Sequence, residues 1–267
     1  MNSAKITTDT IRQMKVEGRK IAMLTAYDYT FAKIIDEAGI DIILVGDSAS
    51  NVMAGHETTV PITLDQMIYH GSSVVRAVKQ ALVVIDLPFG TYQTNTELAM
   101  QSAIRVMKET GAHAVKLEGG ENVVATIKMM VNAGIPVMGH IGLTPQSIYQ
   151  FGTYKTRADN EKDAAQLIKD ALLLESVGCF AIVVEKIPAA LSMELSNSLK
   201  IPLIGIGAGK HCDGQVLVMH DMLGLQSTFT PRFIRKYAQL KTVITDAVKQ
   251  YSQDVKANEF PNDSESY

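Results

Sequence analysis

The stretch Ile42-Ile43-Leu44-Val45-Gly46-Asp47-Ser48 decides how the rest of the chain is interpreted. Its first four residues form a short apolar run rich in β-branched side chains, which is typical of a strand buried on both faces of a parallel sheet. The run ends at Gly46, and the next residue is the charged Asp47. Because Asp is also a common turn and N-cap residue, this position alone allows either a cap or a functional carboxylate.

The same pattern recurs along the chain. Strand candidates alternate with amphipathic helical stretches, and they are Ile21–Thr25, Ile42–Gly46, Leu82–Asp86, Ala114–Glu118, Pro136–His140, Phe180–Glu185, Ile201–Ile206 and Gly214–Met219. Four of the helices end in a glycine shortly before the next strand, at Gly39, Gly111, Gly134 and Gly178. Eight strands alternating with helices favour an α/β fold of the closed (β/α)8 type, a TIM barrel, over an open doubly wound sheet. The pattern alone leaves the open sheet possible.

Length and composition are those of a globular protein. The chain has 267 residues, of which 46% are hydrophobic and 20% charged, and single α/β barrels reach roughly this length. We therefore expect one barrel domain over residues 1–251 and a polar C-terminal tail over residues 252–267. Pro231 is expected at the start of the last helix.

Charge and cysteine usage exclude several classes of protein. A formal net charge of −3 offers no electrostatic argument for a nucleic-acid or membrane partner. The only cysteines are Cys179 and Cys212, so no disulfide framework is expected, which fits a reducing cytoplasm and also other compartments. Residues 1–20 lack the apolar core of a signal peptide, and no apolar run is long enough to span a bilayer.

The predicted strand ends carry the candidate functional residues. In a barrel of this type the active site lies at the carboxyl ends of the strands. Five consecutive strands deliver polar side chains there, namely Asp47 with Ser48, Asp86, Lys116 with Glu118, His140, and Glu185. Each of these also has a structural interpretation. Asp47 and Asp86 could cap turns, and Lys116 could pair locally with Glu118. His140 could be a hydrogen-bonded core residue, and Glu185 could pair with Lys186 at the surface. Their joint occurrence favours a functional site.

Three of these side chains are carboxylates, Asp47, Asp86 and Glu118, which indicates a hard cation with oxygen ligands. Mg²⁺ usually takes one or two protein carboxylates and keeps water molecules that a substrate can displace. No zinc site is predicted, because Cys212 has His211 beside it but no second Cys–His pair at ligand spacing. The glycine-rich run over residues 204–209 lacks the spacing of a dinucleotide-binding motif.

Several motifs resemble those of the ketopantoate hydroxymethyltransferase family. The similarity runs in order from about Thr8 to Tyr237. It is carried by Val45-Gly46-Asp47-Ser48, Asp86-Leu87-Pro88-Phe89-Gly90, Val115-Lys116-Leu117-Glu118-Gly119-Gly120, His140-Ile141-Gly142-Leu143-Thr144-Pro145-Gln146, Ile204–Gly209, Asp213-Gly214-Gln215 and Asp221-Met222-Leu223-Gly224. One loop departs from the family pattern. This chain has Gly152-Thr153-Tyr154-Lys155-Thr156-Arg157-Ala158 where the family often has Gly-Gly-Tyr/Phe-Lys-Val-Gln-Gly.

The resemblance implies a barrel of the phosphoenolpyruvate/pyruvate type and a one-carbon transferase. Such an enzyme moves a hydroxymethyl group from 5,10-methylenetetrahydrofolate to 3-methyl-2-oxobutanoate (alpha-ketoisovalerate). The product is 2-dehydropantoate (ketopantoate), which enters pantothenate (vitamin B5) and coenzyme A biosynthesis. The resemblance also implies Mg²⁺ as cofactor, folate as co-substrate, a cytoplasmic location and assembly as a homodecamer.

The resemblance further assigns roles to the strand-end residues. The positions that match metal ligands are Asp47, Asp86 and Glu118. Those that match oxoacid-binding residues are Asp47, Ser48, Asp86 and Lys116. The position that matches the proton acceptor is Glu185. Mg²⁺ would then stabilise the enolate that forms when Glu185 removes the C3 proton, with Lys116 neutralising the substrate's charge. His140 is expected beside the metal ligands, in contact with them rather than with the ion.

Two alternatives stay open on the sequence. The first is a Mg²⁺-dependent carbon–carbon lyase or phosphonomutase on the same barrel. Lyases of that kind carry a cysteine in a strand-end loop as the acid, and neither Cys179 nor Cys212 ends a strand. The second is a non-catalytic scaffold, which would have no reason to keep three carboxylates and a lysine together. Metal binding would distinguish the scaffold from both enzymes.

Overall fold

Eight parallel strands form a closed barrel, with each strand paired to the next in chain order and β8 paired to β1. The computed structural model describes residues 5–225 and 231–267. The strands are β1 (Ile21–Thr25), β2 (Ile42–Val45), β3 (Leu82–Asp86), β4 (Ala114–Glu118), β5 (Val137–Gly142), β6 (Ala181–Glu185), β7 (Leu203–Ile206) and β8 (Gly214–Leu217). The predicted closed barrel is therefore confirmed, and the open sheet is excluded.

Helices follow the strands around the barrel. Those in the described residues are α1 (Thr8–Val16), α2 (Tyr29–Glu37), α3 (Ala49–Val52), α4 (Leu64–Ala77), α5 (Thr96–Thr110), α6 (Val124–Asn132), α7 (Ile148–Phe151), α8 (Glu161–Ser176), α9 (Ala189–Ser198), α10 (Met219–Met222) and α11 (Leu240–Ala257). Single turns of 3₁₀ helix cover Glu121–Val123, Pro145–Ser147 and Asp263–Glu265. No helix in the described parts of the chain is long and apolar enough to cross a membrane.

Strand β2 shows why an uninterrupted apolar run is needed in this fold. All four of its residues are buried. Ile42 and Leu44 belong to the cluster of side chains that fills the barrel, while Ile43 and Val45 alternate with them and are fully buried on the outer face. Helices α2 and α4 pack on that outer face. Both faces of the strand therefore require apolar side chains, as expected for a parallel sheet covered by helices.

The barrel interior is packed by apolar side chains from every strand and from one helix. Met23, Met138 and Val216 are among the strand residues in this cluster, and α1 adds Ile11 and Met14. Because α1 precedes β1 and packs beside its first residues, it covers the amino-terminal end of the barrel. The carboxyl end is left for polar side chains.

The contacts within the described chain divide it into two units, one ending at Val218 and the other beginning at Met219. All eight strands lie in the first unit. In the second unit, residues 232–233 form a turn and α11 begins only at Leu240, so the expected helix start at Pro231 is wrong. The expected boundary between residues 251 and 252 falls inside α11, and the single barrel domain over residues 1–251 stays a prediction.

Candidate active site

The carboxyl ends of β2 to β5 bring a group of ionisable side chains into one buried cluster. Its members are all at most 5% exposed, and they are Asp47, Asp86, Lys116, Glu118 and His140. The parallel register places Asp86 opposite Lys116 and Glu118 opposite His140, so that side chains from neighbouring strands face each other. We call this group the rim cluster.

Asp47 enters the rim cluster directly after Gly46. A Cβ atom at Gly46 would lie 2.8 Å from Ser48 Oγ, so a side chain there would displace the Ser48 hydroxyl, whereas the 3.6 Å to Asp86 Oδ2 is an ordinary contact. The Asp47 backbone N–H donates to Asp86 Oδ2 at 3.1 Å. Ser48, not Asp47, precedes the first turn of α3, and it makes no capping bond. The cap interpretation of Asp47 is therefore wrong, and its carboxylate is available to the cluster.

Lys116 forms the central ion pair of the rim cluster. Its Nζ lies 2.6 Å from Asp86 Oδ1, and both side chains are almost fully buried. The local pair of Lys116 with Glu118 that the sequence allows is absent from the ion pairs of the described residues. Burial lowers the pKa of Lys116, but the nearby carboxylates, above all Asp86, outweigh it and raise this pKa to about 12. Lys116 is therefore charged at neutral pH.

The carboxylates outnumber this one ammonium group. Burial raises the pKa of Asp47 well above its ordinary range, and the charges of Asp86 and Glu118 raise it further. Burial also raises the pKa of Glu118 to about 8, with Lys116 acting in the opposite direction. Burial is the main cause of both shifts, and neighbouring carboxylates add to them, so both carboxyl groups favour the protonated form more than a carboxyl group in water does.

His140 lies between Glu118 and Glu185. Its Nδ1 is 3.2 Å from Glu118 Oε1, and its Nε2 is 3.5 Å from Glu185 Oε2. Neither nitrogen has hydrogen-bond geometry to a partner in the described residues. The two distances therefore describe close approach to the carboxylates and not hydrogen bonds. Burial and the charge of Lys116 lower the pKa of His140, which favours the neutral ring. His140 thus lies within 3.5 Å of two carboxylates, of which Glu118 is a predicted ligand and Glu185 the predicted base.

Glu185 ends β6 and is more open than the rim cluster, with 15% of its side chain exposed. The surface pair with Lys186 that the sequence allowed is not formed, because Lys186 Nζ donates to the backbone oxygen of Tyr154. The backbone N–H of Arg157 in turn donates to the Lys186 carbonyl at 2.8 Å. The atypical loop over residues 152–158 is therefore fastened beside Glu185.

Gln146 is the main site residue that the sequence analysis did not single out. Its Nε2 donates to Asp47 Oδ2 at 2.9 Å and to the Leu87 carbonyl at 3.0 Å. Its backbone N–H donates to Glu118 Oε2 at 3.0 Å. Tyr92 Oη donates to Gln146 Oε1 at 2.7 Å, which fixes which end of the amide faces Asp47. The signal in the sequence was weak, since Gln146 lies four residues beyond β5 in the chain.

Tyr27 was missed as well. This fully buried side chain follows β1, and its Oη lies 2.8 Å from Ser48 Oγ. His70 Nδ1 approaches the Tyr27 carbonyl at 2.7 Å. Burial raises the pKa of Tyr27, while the contact with Ser48 lowers it. Tyr27 therefore stays neutral and holds the Ser48 hydroxyl at the edge of the rim cluster.

The donor set of the rim cluster fits Mg²⁺ in chemistry and in charge. Asp47, Asp86 and Glu118 supply carboxylate oxygens, the ligand type that Mg²⁺ prefers, and the three groups share a single buried lysine. In the arrangement described, two of these groups are turned towards Lys116 and Gln146. No three Asp, Glu, His or Cys side chains of the described residues stand ready to coordinate an ion. Metal binding thus requires the carboxylates to rotate away from these partners.

Solved structures with similar coordinates share the fold. Phosphonopyruvate hydrolase superposes with a TM-score of 0.64 at 12% identity, covering 97% of this chain and 93% of that one. A 2,3-dimethylmalate lyase, a member of the PEP mutase/isocitrate lyase superfamily, gives a TM-score of 0.61 at 13% identity, with 96% and 90% covered. At such low sequence identities these similarities show that the barrel fold is shared, and they do not show that the reactions are the same.

Curated sequences are far more similar. The 3-methyl-2-oxobutanoate hydroxymethyltransferase of Flavobacterium johnsoniae is 64% identical over 98% of this chain and 97% of its own length. The protein of the same name from Bacteroides thetaiotaomicron is 60% identical over 100% of this chain and 97% of its own length. A sequence model of ketopantoate hydroxymethyltransferase matches residues 5–263. The chain therefore belongs to the ketopantoate hydroxymethyltransferase family.

Proposed function

We propose that this protein transfers a hydroxymethyl group from 5,10-methylenetetrahydrofolate to 3-methyl-2-oxobutanoate, forming 2-dehydropantoate for pantothenate and coenzyme A biosynthesis. Family membership and the shared name of relatives at 60–64% identity support this activity. The observation that carries it is the rim cluster, in which three buried carboxylates surround one lysine. The lyase or phosphonomutase alternative is not favoured, because the solved structures of those enzymes are only 12–14% identical to this chain.

Mg²⁺ is the cofactor that we propose for this site. Asp47, Asp86 and Glu118 would hold it. When bound, the ion supplies a Lewis acid that polarises the keto group of the oxoacid and acidifies its C3–H bond. The excess of carboxylates over ammonium groups supports a divalent cation here. Lys116 supplies only one positive charge to the three carboxyl groups.

The side chains of the cluster would bind and orient the oxoacid. Lys116 carries the permanent positive charge that attracts the substrate's carboxylate. Ser48 presents a hydroxyl that Tyr27 keeps in place, and Gly46 leaves the room that this hydroxyl needs. Ser48 follows β2 and Lys116 lies in β4, so both stand at the carboxyl end of the barrel, where Glu185 also lies.

Glu185 is the proposed general base. It lies at the end of β6, partly open and across His140 from Glu118. In the net reaction the C3–H bond and both C–N bonds of the folate methylene bridge break, while a C–C bond and a C–OH bond form. Water supplies the hydroxyl group. The C3 proton and the other hydrogen of that water end on the two folate nitrogens, so the atoms balance.

The test is the exchange of the C3 proton of 3-methyl-2-oxobutanoate in deuterated water with Mg²⁺ and without folate. We expect exchange with the wild-type protein. Glu185→Gln should lower its rate by about 10²- to 10⁴-fold, the usual contribution of a general base, with little change in oxoacid affinity. The exposed Glu194→Gln serves as the matched control. Absence of exchange with the folded wild-type protein would refute the mechanism, and undiminished exchange in Glu185→Gln would move the base elsewhere, first to His140.

A cytoplasmic location and a homodecameric assembly complete the proposal. Both are carried over from the family resemblance. Light scattering of the purified protein tests the assembly directly, since a monomer of 29.0 kDa and a decamer differ tenfold in mass.

A further inference from the structure

A cavity of about 630 Å³ adjoins the rim cluster at the carboxyl ends of β3, β4 and β5. We call it the β3–β5 cavity. Glu118 and Gln146 line it and also belong to the hydrogen-bond network that holds Asp47. Its volume lies in the range of pockets that bind small organic molecules. The cavity therefore opens directly onto the place where the oxoacid would react.

Two aromatic side chains line the cavity with much of their surface exposed. Phe89, in the segment after β3, is 47% exposed, and Tyr149, in α7, is 76% exposed. Aromatic rings exposed beside a cavity offer flat apolar faces, and a planar ligand packed against them would remove that surface from water. The shape and chemistry of these walls thus favour a ring system.

The same cavity offers hydrogen-bonding groups that the protein leaves unused. Within the described residues, the side chains of Thr144, Ser147 and Gln150 make no hydrogen bond. Gln93 differs, because its amide is engaged with Gly90 and Gln146. Two hydroxyls and one carboxamide are therefore available to a ligand with donors and acceptors along its edge.

Charge limits which ligand can enter. Among the described residues that line the cavity there is no Lys, Arg or His, and the only ionisable acid is Glu118. An anionic group would meet a carboxylate with no compensating cation, which is unfavourable. Phosphates, a second oxoacid and the glutamate tail of folate are therefore poor occupants, and a neutral planar heterocycle is a good one.

We propose that the β3–β5 cavity binds the reduced pterin ring of the folate co-substrate, with the p-aminobenzoyl-glutamate part directed away from it. This inference rests on the proposed function. The transferable carbon of 5,10-methylenetetrahydrofolate bridges a pterin nitrogen and the neighbouring N10, so the pterin must lie next to the oxoacid. The wall shared with the rim cluster, formed by Glu118 and Gln146, supplies that proximity. The free hydroxyls and carboxamide match the donor and acceptor edge of the pterin.

The experiment measures binding directly, by equilibrium dialysis with Mg²⁺ and 3-methyl-2-oxobutanoate present. The probes are tetrahydrofolate, tetrahydropterin and p-aminobenzoylglutamate. Tyr149→Ala and Phe89→Ala remove the aromatic walls, and Gln150→Leu removes the free carboxamide. Tyr69→Ala is the matched control, since Tyr69 is 71% exposed and does not line the cavity.

Each aromatic variant should weaken tetrahydrofolate and tetrahydropterin by the same factor, about five- to tenfold, as expected for loss of stacking on one ring. Their affinity for p-aminobenzoylglutamate and the rate of folate-independent C3 exchange should stay within about twofold of wild type. Unchanged tetrahydrofolate affinity in all three variants would overturn the inference. So would a loss of affinity confined to p-aminobenzoylglutamate, which would place the other end of folate in the cavity.

Failure of this inference and failure of the proposed function give different results. If the wild-type protein binds tetrahydrofolate and exchanges C3 but the variants bind it equally well, only the location is wrong. If the wild-type protein neither exchanges C3 nor binds tetrahydrofolate, the proposed function itself falls, and the inference with it.

Discussion

The two ends of the barrel each hold a lysine–aspartate ion pair in very different surroundings. At the amino-terminal end, Lys15 Nζ lies 2.7 Å from Asp213 Oδ2. Lys15 also donates to the Ser196 carbonyl, while Asp213 accepts from Ser196 Oγ and the Leu203 N–H. One cation meets one anion there, and the remaining hydrogen-bonding capacity is used by the protein.

At the carboxyl end the pair between Lys116 and Asp86 is equally short, at 2.6 Å, but two further carboxylates crowd it. Burial raises the pKa of Asp47 and that of Glu118, and the neighbouring carboxylates add to both shifts. A balanced ion pair fastens elements together, whereas an unbalanced one leaves a site that a ligand must complete. The two ends therefore differ in the number of carboxyl groups around the lysine and not in the length of the ion pair.

Exchanging the two lysines for methionine should give the largest contrast. Lys116→Met removes the charge that we propose to hold the substrate's carboxylate, so we expect C3 exchange to fall by about 10²- to 10³-fold, as when a preorganised electrostatic contact is lost. Lys15→Met should leave the exchange rate per folded molecule within about twofold and lower the free energy of unfolding by about 1–3 kcal/mol. Exchange kinetics and urea unfolding measure the two quantities. Comparable losses of activity in both variants would abolish the distinction between the ends.

Neutralising one aspartate at each end should change stability in opposite directions. Asp47→Asn removes a charge that the fold holds at a cost, so the metal-free melting temperature should rise by roughly 2–4 °C, about 1 kcal/mol for a chain of this size. Asp213→Asn leaves Lys15 without its anion and should lower the melting temperature by a similar amount. Thermal unfolding in the presence of a chelator is the measurement.

Added Mg²⁺ provides the control for this pair of variants. It should raise the melting temperature of wild type and Asp213→Asn, since a ligand that binds only the folded state stabilises it, and should do so much less in Asp47→Asn. A stabilising Asp213→Asn, or equal Mg²⁺ effects in all three proteins, would contradict the assignment of balanced and unbalanced ends.

The smallest effect concerns acid sensitivity at the amino-terminal end. His113 precedes β4, and its Nδ1 accepts the Val83 N–H at 2.9 Å. Burial, helped by Lys5, lowers the pKa of His113 below 6.5, so the folded state favours the neutral ring. Its contribution to stability is present above about pH 6.5 and is lost as the pH falls through the lowered pKa. The melting temperature should therefore fall slightly more steeply in wild type than in His113→Gln from about pH 7.5 to about pH 5.5. If the melting temperatures of the two proteins fell equally with pH, His113 would not be a cause of the loss of stability in acid.

The barrel could be predicted from the sequence because its determinants are local. Runs such as residues 82–85 are apolar throughout, and glycines such as Gly111, at φ 74°, end the preceding helices in a left-handed conformation. The start of α11 could not be predicted in this way. Pro231 suits the first turn of a helix, but it suits a turn equally well, and the structure has the turn.

The candidate site was predictable where the barrel topology dictates it. Strand ends meet at one rim, so Asp86, Lys116 and Glu118 could be grouped before their contacts were known. Gln146 could not be placed, because its bond to Asp47 joins residues 99 positions apart and depends on the path of the segment after β5. No local pattern specifies such a contact, since an amide in a loop has no characteristic period.

The contacts of Gln146 would couple the two proposed binding events, one at the rim cluster and one in the β3–β5 cavity. Its amide reaches Asp47 in the rim cluster, and the same amide accepts from Tyr92 and Gln93, which line the β3–β5 cavity. A ligand that draws Asp47 away from this amide changes what Tyr92 and Gln93 are bonded to. Thermodynamic linkage then requires the effect to be reciprocal. If the first ligand changes the affinity for the second by some factor, the second changes the affinity for the first by the same factor.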